Sequence, residues 1–359
     1  GDAQRARALL ERVVADSTAP ASPSAELATQ ARLRLGGLLS LFQDHAAARG
    51  HLERAIADLE SAVPPDHPEL VQARASLASV EREQGDLGKA RADCEELLEL
   101  ILRRAPETHA NVIDLRVCLG LTYRLLDDVS AARDQFERAL AAIGARGPEH
   151  PQWFAASADL ALTLQDVGNL VGARSVLERV LAVALPKFGA RHPDVIGIRA
   201  NLASVLREQG ELEASRDLCA KLLEDAAAIY PEDHPRRMTL LSNLANVSSE
   251  IELTPQTLGL SEQVLEARER VLGPDAIETV RARLNLGVLR TKTGDFAGAA
   301  PLLERCLETS ERTLGDDHVD VLSARSAALS LASRTGDAER ARALARDLAR
   351  GVVSRCVRC

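Results

Sequence analysis

Residues Asn201 to Glu224 read NLASVLREQGELEASRDLCAKLLE, with a glycine near the middle. On either side of Gly210 the apolar residues are Leu202, Val205 and Leu206, then Leu212, Leu218, Cys219, Leu222 and Leu223. Both sets follow helical spacing, so the stretch predicts two amphipathic helices joined by a tight turn at the glycine. A single pair of such helices cannot bury both apolar stripes, and it therefore needs neighbours of the same kind.

The rest of the chain supplies those neighbours, because three landmarks recur in one phase. The turn position is held by Gly1, Gln43, Gly85, Asp127, Gly168, Gly210, Glu252, Gly294 and Gly336, 42 residues apart with one interval of 41. A leucine followed by glycine or alanine recurs at Leu35, Leu77, Leu119, Leu160, Leu202, Leu244 and Leu286. A histidine recurs between the pairs at His67, His109, His150, His192, His234 and His318. This periodicity predicts a solenoid.

The small residues of the pattern resemble those of one known family. Glycine follows the Leu-Gly/Ala pair by seven residues, and alanine follows five later, at Ala48, Ala90, Ala132, Ala173, Ala299 and Ala341. This spacing resembles the tetratricopeptide repeat, in its 42-residue form seen in kinesin light chains and many bacterial signalling proteins. The resemblance implies an all-α, right-handed α-solenoid superhelix of about 8.5 helix-turn-helix repeats. It also implies a concave face, lined by the first helix of each pair, that binds a protein or peptide segment.

The repeat phase divides the chain into three parts. Residues 1–17 match the second helix of a truncated repeat, residues 18–350 hold eight tandem repeats, and residues 351–359 form a C-terminal tail. Because the first part lacks its partner helix, we expect the array to continue beyond residue 1 in a longer protein. One turn lacks its glycine, and there we expect Thr254 to cap a helix that begins at Pro255.

Composition narrows the classes of partner. The 44 basic and 53 acidic residues give a net charge of -9, which argues against nucleic-acid binding. The sequence shows no signal peptide and no apolar run near the ~20 residues of a membrane span, so it predicts a cytoplasmic protein without a membrane partner. Cys94, Cys219 and Cys306 occupy apolar positions of second helices, where a free thiol packs as a small hydrophobe.

No arrangement of residues points to catalysis or to a cofactor. The chain lacks the nucleophile-elbow, phosphate-loop, zinc-protease and dinucleotide motifs, so we expect no enzymatic activity and no cofactor. The linker histidines lie some forty residues apart, which indicates a structural position. Cys356 and Cys359 have the spacing of half a zinc site, and they are either incidental or completed by sequence outside the chain.

The candidate binding residues are those that the resemblance places on the concave face. Asn201, Asn243 and Asn285 hold one equivalent position in consecutive repeats, and an amide can both donate to and accept from a peptide backbone. The further candidates are Asn246, Ser204, Lys292, Arg82, Arg124 and Arg207. The arginines suit an acidic segment, but neighbouring glutamates provide internal partners as an alternative. A second interpretation of the asparagines is a polar, solvated helix face.

Two functions remain open at this point. The first is an interaction scaffold that binds a peptide or protein segment in its groove, as part of a larger signalling or defence protein. The alternative is a cis-acting sensor or autoinhibitory domain of a multidomain enzyme, such as a kinase or caspase-like protease, whose catalytic part lies outside this chain.

Overall fold

The computed structural model describes residues 2–17, 25–146 and 152–358, and within these ranges the chain forms α-helices joined by short connections. It divides into two compact units, Gly1–Ala184 (unit 1) and Leu185–Cys359 (unit 2). The helices that begin in unit 1 are α1 (Asp2–Ser17), α2 (Ala25–Leu41), α3 (His45–Ala62), α4 (Pro68–Glu83), α5 (Leu87–Leu102), α6 (Ala110–Leu125), α7 (Val129–Arg146), α8 (Trp153–Asp166) and α9 (Leu170–Phe188). Those of unit 2 are α10 (Pro193–Glu208), α11 (Leu212–Ala227), α12 (Pro235–Ile251), α13 (Pro255–Leu272), α14 (Ile277–Thr293), α15 (Phe296–Thr313), α16 (Val319–Thr335) and α17 (Ala338–Arg358).

Within each unit the helices pack in chain order. In unit 1 every helix from α1 to α7 packs against the next, and the first helices of successive pairs, α2, α4, α6 and α8, also contact one another. In unit 2 every helix from α10 to α16 packs against the next, and α10 contacts α12 as α14 contacts α16. Each pair therefore buries its apolar stripes against its neighbours. The predicted all-α solenoid of repeated helix pairs is confirmed.

The turn position behaves as its spacing predicts. Gly85, Gly168, Gly210, Gly294 and Gly336 have φ between +74° and +89°, and Gln43 and Asp127 have φ of 61° and 63°. A left-handed residue ends one helix and redirects the chain into the next.

The turn without glycine is built differently. There the Thr254 side chain accepts a hydrogen bond from the Thr257 backbone N–H at 3.2 Å, and the Thr257 hydroxyl accepts from the Thr254 N–H at 2.9 Å. Pro255 begins α13, so the predicted cap is confirmed.

The linker histidines are helix caps. Nδ1 of the imidazole accepts a hydrogen bond from the backbone N–H two residues later, at 3.2–3.4 Å, in His67, His109, His192, His234 and His318. Each ring thus satisfies one of the free N–H groups at the start of a first helix. His150, with Pro151, lies outside the described residues. The structural interpretation of the five described histidines is confirmed.

Loss of one cap gives a measurable prediction. We expect His67→Ala to lower the free energy of unfolding by about 1 kcal/mol, because the Glu69 N–H loses its acceptor. Ala276 occupies the equivalent position before α14 and makes no side-chain cap, so Ala276→Ser is expected to stabilise by a similar amount. Urea unfolding followed by circular dichroism measures both. Equal midpoints for wild type and His67→Ala would show that the imidazole contributes nothing as a cap.

Within a helix pair, a small residue of the first helix faces the residue sixteen positions later on the second. A Cβ atom on Gly120 would lie 2.7 Å from the Phe136 ring, and one on Gly287 would lie 2.6 Å from Leu303 Cδ2. In two of the pairs where alanine replaces the glycine, the facing residue is a cysteine; these are Ala78–Cys94 and Ala203–Cys219, which share core clusters. The predicted burial of Cys94, Cys219 and Cys306 is confirmed. For the first two, the thiol is the small partner of an alanine.

An arginine recurs at one position of the first helix in most repeats, and it is buried at Arg116, Arg199, Arg283 and Arg325; it was not predicted. It stands at Arg32, Arg74, Arg116, Arg199, Arg283 and Arg325, while Ser157 and Leu241 hold the equivalent places in α8 and α12. In unit 2 the guanidinium donates to the backbone carbonyl nine residues earlier, as Arg199 does to Ala190 at 3.1 Å and Arg283 to Pro274 at 3.2 Å. Arg283 also reaches the carboxylate of Glu269 on the preceding second helix, α13, whereas Arg199 reaches that of Asp225 on the following one, α11. Each guanidinium therefore ties its linker to a neighbouring second helix.

The last helix continues beyond its predicted end. The expected tail from residue 351 is corrected, because α17 extends to Arg358 instead of ending at Arg350. Arg325 Nη1 donates to the Asp347 carbonyl at 3.5 Å. At Gly351 a Cβ atom would lie 2.8 Å from the Asp316 carbonyl oxygen, so the glycine permits close packing that holds this turn. Cys359 and the Cys356 side chain lie outside the described residues.

Candidate functional site

A groove of about 930 Å³ lies in unit 2. It is lined by the first helices of four successive pairs, α10, α12, α14 and α16. Its apolar lining residues are Leu284, Val288, Leu289, Val319, Leu322 and Ala327, and its hydroxyl-bearing ones are Ser249, Thr291, Ser323, Ser326 and Ser330. These apolar and hydroxyl-bearing residues make the groove an amphipathic cleft on an array of helices.

In the described part of unit 2, no helix is long and apolar enough to cross a bilayer, and the same holds for unit 1.

The charged lining of the groove is mostly positive. It contains three cationic side chains, those of Arg207, Lys292 and Arg334, and one carboxylate, that of Glu250. Arg207 pairs with Glu250 at 3.2 Å. Arg334 donates to the Thr291 carbonyl at 2.6 Å and lies 5.4 Å from the centroid of the Phe296 ring, so its position is fixed. Lys292 is exposed and has no ion-pair partner among the described residues. Its ammonium group is available to an anion from outside.

Two of the four candidate asparagines line this groove. Asn246 on α12 and Asn285 on α14 belong to its wall, whereas Asn201 and Asn243 do not. Among the residues that the structure describes, none accepts from or donates to the side-chain amides of these four. Each amide therefore keeps one acceptor and two donor hydrogens for solvent or for a bound chain.

The remaining candidates have partners within the protein. Arg82 pairs with Glu83 at 2.6 Å, and Arg124 approaches Asp166 at 3.7 Å. Ser204 also interacts with another residue. Like Arg207, these two arginines are paired internally, which was the alternative left open by the sequence.

Arg82 belongs to a second, smaller groove in unit 1, of about 280 Å³. Ser79 and Cys118 line the same groove, on α4 and α6. On the neighbouring helix α8, burial raises the pKa of Asp159, and the positive charges of Arg124 and Arg82 oppose that rise. Of the predicted site residues, Asn246, Asn285, Lys292 and Arg207 therefore line the groove of unit 2, and Arg82 lines the groove of unit 1. The other four, Asn201, Asn243, Ser204 and Arg124, line neither groove.

The α16 wall of the large groove was missed by sequence reasoning. It contributes Val319, Leu322, Ser323, Ser326, Ala327, Ser330 and Arg334. The repeat contained the signal, since Arg334 follows Lys292 by 42 residues and Ala327 follows Asn285 by the same interval. The recurring asparagine ends at α14, because Ala327 holds the equivalent position in α16.

Solved structures with this arrangement are helical-repeat proteins. The apo form of the quorum sensor NprR from B. thuringiensis aligns with a TM-score of 0.69 at 13% identity, covering 98% of this chain and 94% of that one. Kinesin light chain TPR-like repeats of Podospora anserina align with a TM-score of 0.51 at 21% identity, covering 57% and 97%. A Rap protein in complex with Competence and Sporulation Factor aligns with a TM-score of 0.54 at 12% identity, covering 92% and 99%. At these identities the likeness concerns the fold.

Sequence comparison gives the family directly. No curated protein matches the chain. Two models of the tetratricopeptide repeat match it, one at residues 69–143, 239–312 and 284–350, the other at 29–69, 155–194 and 195–236. Together these segments span most of the sequence. The chain belongs to the tetratricopeptide repeat family.

Proposed function

We propose that this protein is an interaction scaffold that binds an acidic peptide or protein segment in the groove of unit 2. The observation that carries the proposal is the lining of that groove, where unpaired amides and a free lysine surround an apolar floor. The fold neighbours support the same class of function, since the Rap structure contains a bound factor. The proposed role requires no catalysis and no cofactor.

The lining suits an extended chain. Asn246 and Asn285 lie on successive first helices, so their amides can bond the backbone of a segment that crosses from α12 to α14. The apolar floor between Val288 and Leu322 accommodates alternate side chains of that segment. The hydrogen bonds to the backbone and the contacts with the side chains would then hold the same bound segment.

Charge restricts the occupant further. Three cationic side chains and one carboxylate give the lining a positive excess in a protein whose net charge is -9. Because Glu250 already neutralises Arg207, the ammonium of Lys292 is the strongest attraction for an external carboxylate. We infer that the segment presents Asp, Glu or a terminal carboxylate near Lys292.

A peptide-display library of random twelve-residue segments tests the proposal. We expect selection on the wild-type chain to enrich sequences that combine acidic and apolar residues. For an enriched synthetic peptide, Asn246→Ala/Asn285→Ala is expected to weaken binding about tenfold or more, since two hydrogen bonds of ~1 kcal/mol each are lost. Lys292→Ala is expected to weaken binding and to reduce its dependence on salt. Isothermal titration measures each affinity.

Asn201→Ala is the matched control. It removes the same amide from the equivalent place on α10, outside the lining of the groove. Enriched peptides that bind all the variants alike would contradict the groove assignment. Failure to enrich any peptide would contradict binding of extended segments and would favour the array as a cis-acting regulatory domain.

A further inference from the structure

Two cysteines of unit 1 lie in contact across the boundary between repeats. Cys94 is on α5, the second helix of one pair, and Cys118 is on α6, the first helix of the next. Both thiols are reduced, and the Cys94 thiol donates to the Cys118 sulfur with 3.3 Å between the two Sγ atoms. A disulfide needs Sγ atoms ~2.05 Å apart, so the two sulfurs must approach by about 1.2 Å to form one.

The surroundings favour a thiolate at Cys118. Arg82 Nη1 lies 3.9 Å from its sulfur, and the Ser79 hydroxyl lies 3.6 Å from it. The hydrogen bond from Cys94 lowers the pKa of Cys118 most, and Arg82 and Ser79 lower it further, although burial acts in the opposite direction. The pKa of Cys94 is raised, because its proton is held by Cys118 and its site is buried. One sulfur is therefore prepared as a nucleophile and the other remains a thiol.

Cys118 also has a route to solvent. Together with Ser79 and Arg82 it lines the groove of unit 1, so a small molecule in that groove meets the sulfur beside a guanidinium. The buried cysteines of unit 2 have neither property. Burial raises the pKa of Cys219 and of Cys306 to about 11, and neither lines either of the two grooves described above. The chain thus contains its own unreactive controls.

We propose that Cys118 and Cys94 form a peroxide-reactive dithiol site. The Cys118 thiolate attacks one oxygen of a hydroperoxide, the O–O bond breaks, and the leaving hydroxide or alkoxide takes up a proton. The sulfur is oxidised to a sulfenic acid and the peroxide is reduced to water or an alcohol. Cys94 then attacks the Cys118 sulfur, the S–O bond breaks, and water leaves with the thiol proton, which gives the disulfide. A dithiol reductant restores both thiols by exchange.

Oxidation changes the boundary between two repeats. The disulfide joins α5 covalently to α6, and it removes from the groove the thiolate that faces Arg82. The guanidinium then retains Glu83 as its partner. The site therefore couples the oxidation state of two thiols to the charge and rigidity of the smaller groove, independently of the peptide groove in unit 2.

The first experiment uses the full chain with Cys356→Ser and Cys359→Ser, so that the C-terminal thiols do not contribute. Hydrogen peroxide is added at neutral pH, remaining thiols are alkylated, and peptides are mapped by mass spectrometry. We expect a Cys94–Cys118 crosslink that dithiothreitol reverses, while Cys219 and Cys306 stay reduced. Native-state alkylation by iodoacetamide is expected to be at least about tenfold faster at Cys118 than at Cys219 or Cys306, because each unit of pKa changes the thiolate fraction about tenfold.

Variants separate the two chemical steps. Arg82→Met keeps the aliphatic stem and removes the cation, so we expect oxidation of Cys118 to slow about tenfold. Arg207→Met makes the same change at the equivalent position of α10 and is expected to leave that rate unchanged. In Cys94→Ala the sulfenic acid cannot be resolved, and we expect dimedone to trap it at Cys118.

Three results would overturn the proposal. The first is alkylation of Cys118 no faster than that of Cys219 in the folded chain, a comparison that requires no variant at this site. The second is loss of thiols on peroxide treatment without a Cys94–Cys118 crosslink. The third is an equal oxidation rate in Arg82→Met and Arg207→Met, with circular dichroism showing that both are folded.

Discussion

Replacing Phe136 with cysteine is expected to lower the free energy of unfolding by about 3 kcal/mol or more. The ring is fully buried, and its removal leaves a cavity between α6 and α7. Gly120→Ala alone is expected to cost roughly 1–2 kcal/mol, because the added methyl group meets the rigid ring at 2.7 Å. That overpacking exceeds the gain of ~1 kcal/mol from replacing a helical glycine.

When Gly120→Ala is combined with Phe136→Cys, its effect on the free energy of unfolding is expected to change sign. In the Phe136→Cys background the ring is absent, so Gly120→Ala should stabilise by about 1 kcal/mol instead of destabilising. The double variant reproduces the alanine–cysteine pairing of Ala78–Cys94 and Ala203–Cys219. Urea unfolding gives the four midpoints of the cycle, and hydrogen exchange of α6 and α7 localises the change. Strictly additive effects would show that Gly120 and Phe136 are not size-matched partners.

Much of the fold was predictable because its determinants are local and recur. The turn residues at Gly85 or Gly210 need a left-handed backbone, and a period of 42 residues makes that requirement visible without a structure. The capping histidines were recognised by position, although their acceptor role appeared only with the geometry of His67 and Glu69. The continuation of α17 was missed, because it depends on close packing of Gly351 against Leu322 of α16 and the Asp316 carbonyl before that helix.

The candidate site was only partly predictable, for a physical reason. Asn201, Asn243 and Asn285 are equivalent in the repeat, yet only Asn285 lines the large groove. The position within the repeat predicts which face of a helix a residue occupies. The extent of a groove depends in addition on the size and position of the neighbouring side chains. The contact between Cys94 and Cys118 was equally hard to predict, because the two residues hold different repeat positions and meet only through packing. Chemistry between non-equivalent positions leaves no periodic signal.

Arg283→Met is the second change with a large expected effect, a loss of about 2–4 kcal/mol in the free energy of unfolding. Arg283 is 1% exposed, and it bonds Glu269 at 2.6 Å and the Pro274 carbonyl at 3.2 Å. Methionine keeps the apolar stem but leaves both acceptors without their donor. Because the Glu269 side chain is 36% exposed, water recovers part of the loss, which places the cost below that of a fully buried pair.

The companion variants show which part of the arginine matters. Arg312→Met removes an exposed partner of Asp275 and is expected to change stability little, since solvent screens that pair. Arg283→Met/Glu269→Met removes the carboxylate as well, so it should recover part of the loss, whereas the unsatisfied Pro274 carbonyl should keep the remainder. The denaturation midpoints of the three variants show how much stability each bond of Arg283 contributes. A small effect of Arg283→Met, equal to that of Arg312→Met, would mean that the recurring arginine does not hold the linkers. An apolar residue such as Leu241, which holds the same position in α12, would then be expected to serve equally well in every repeat.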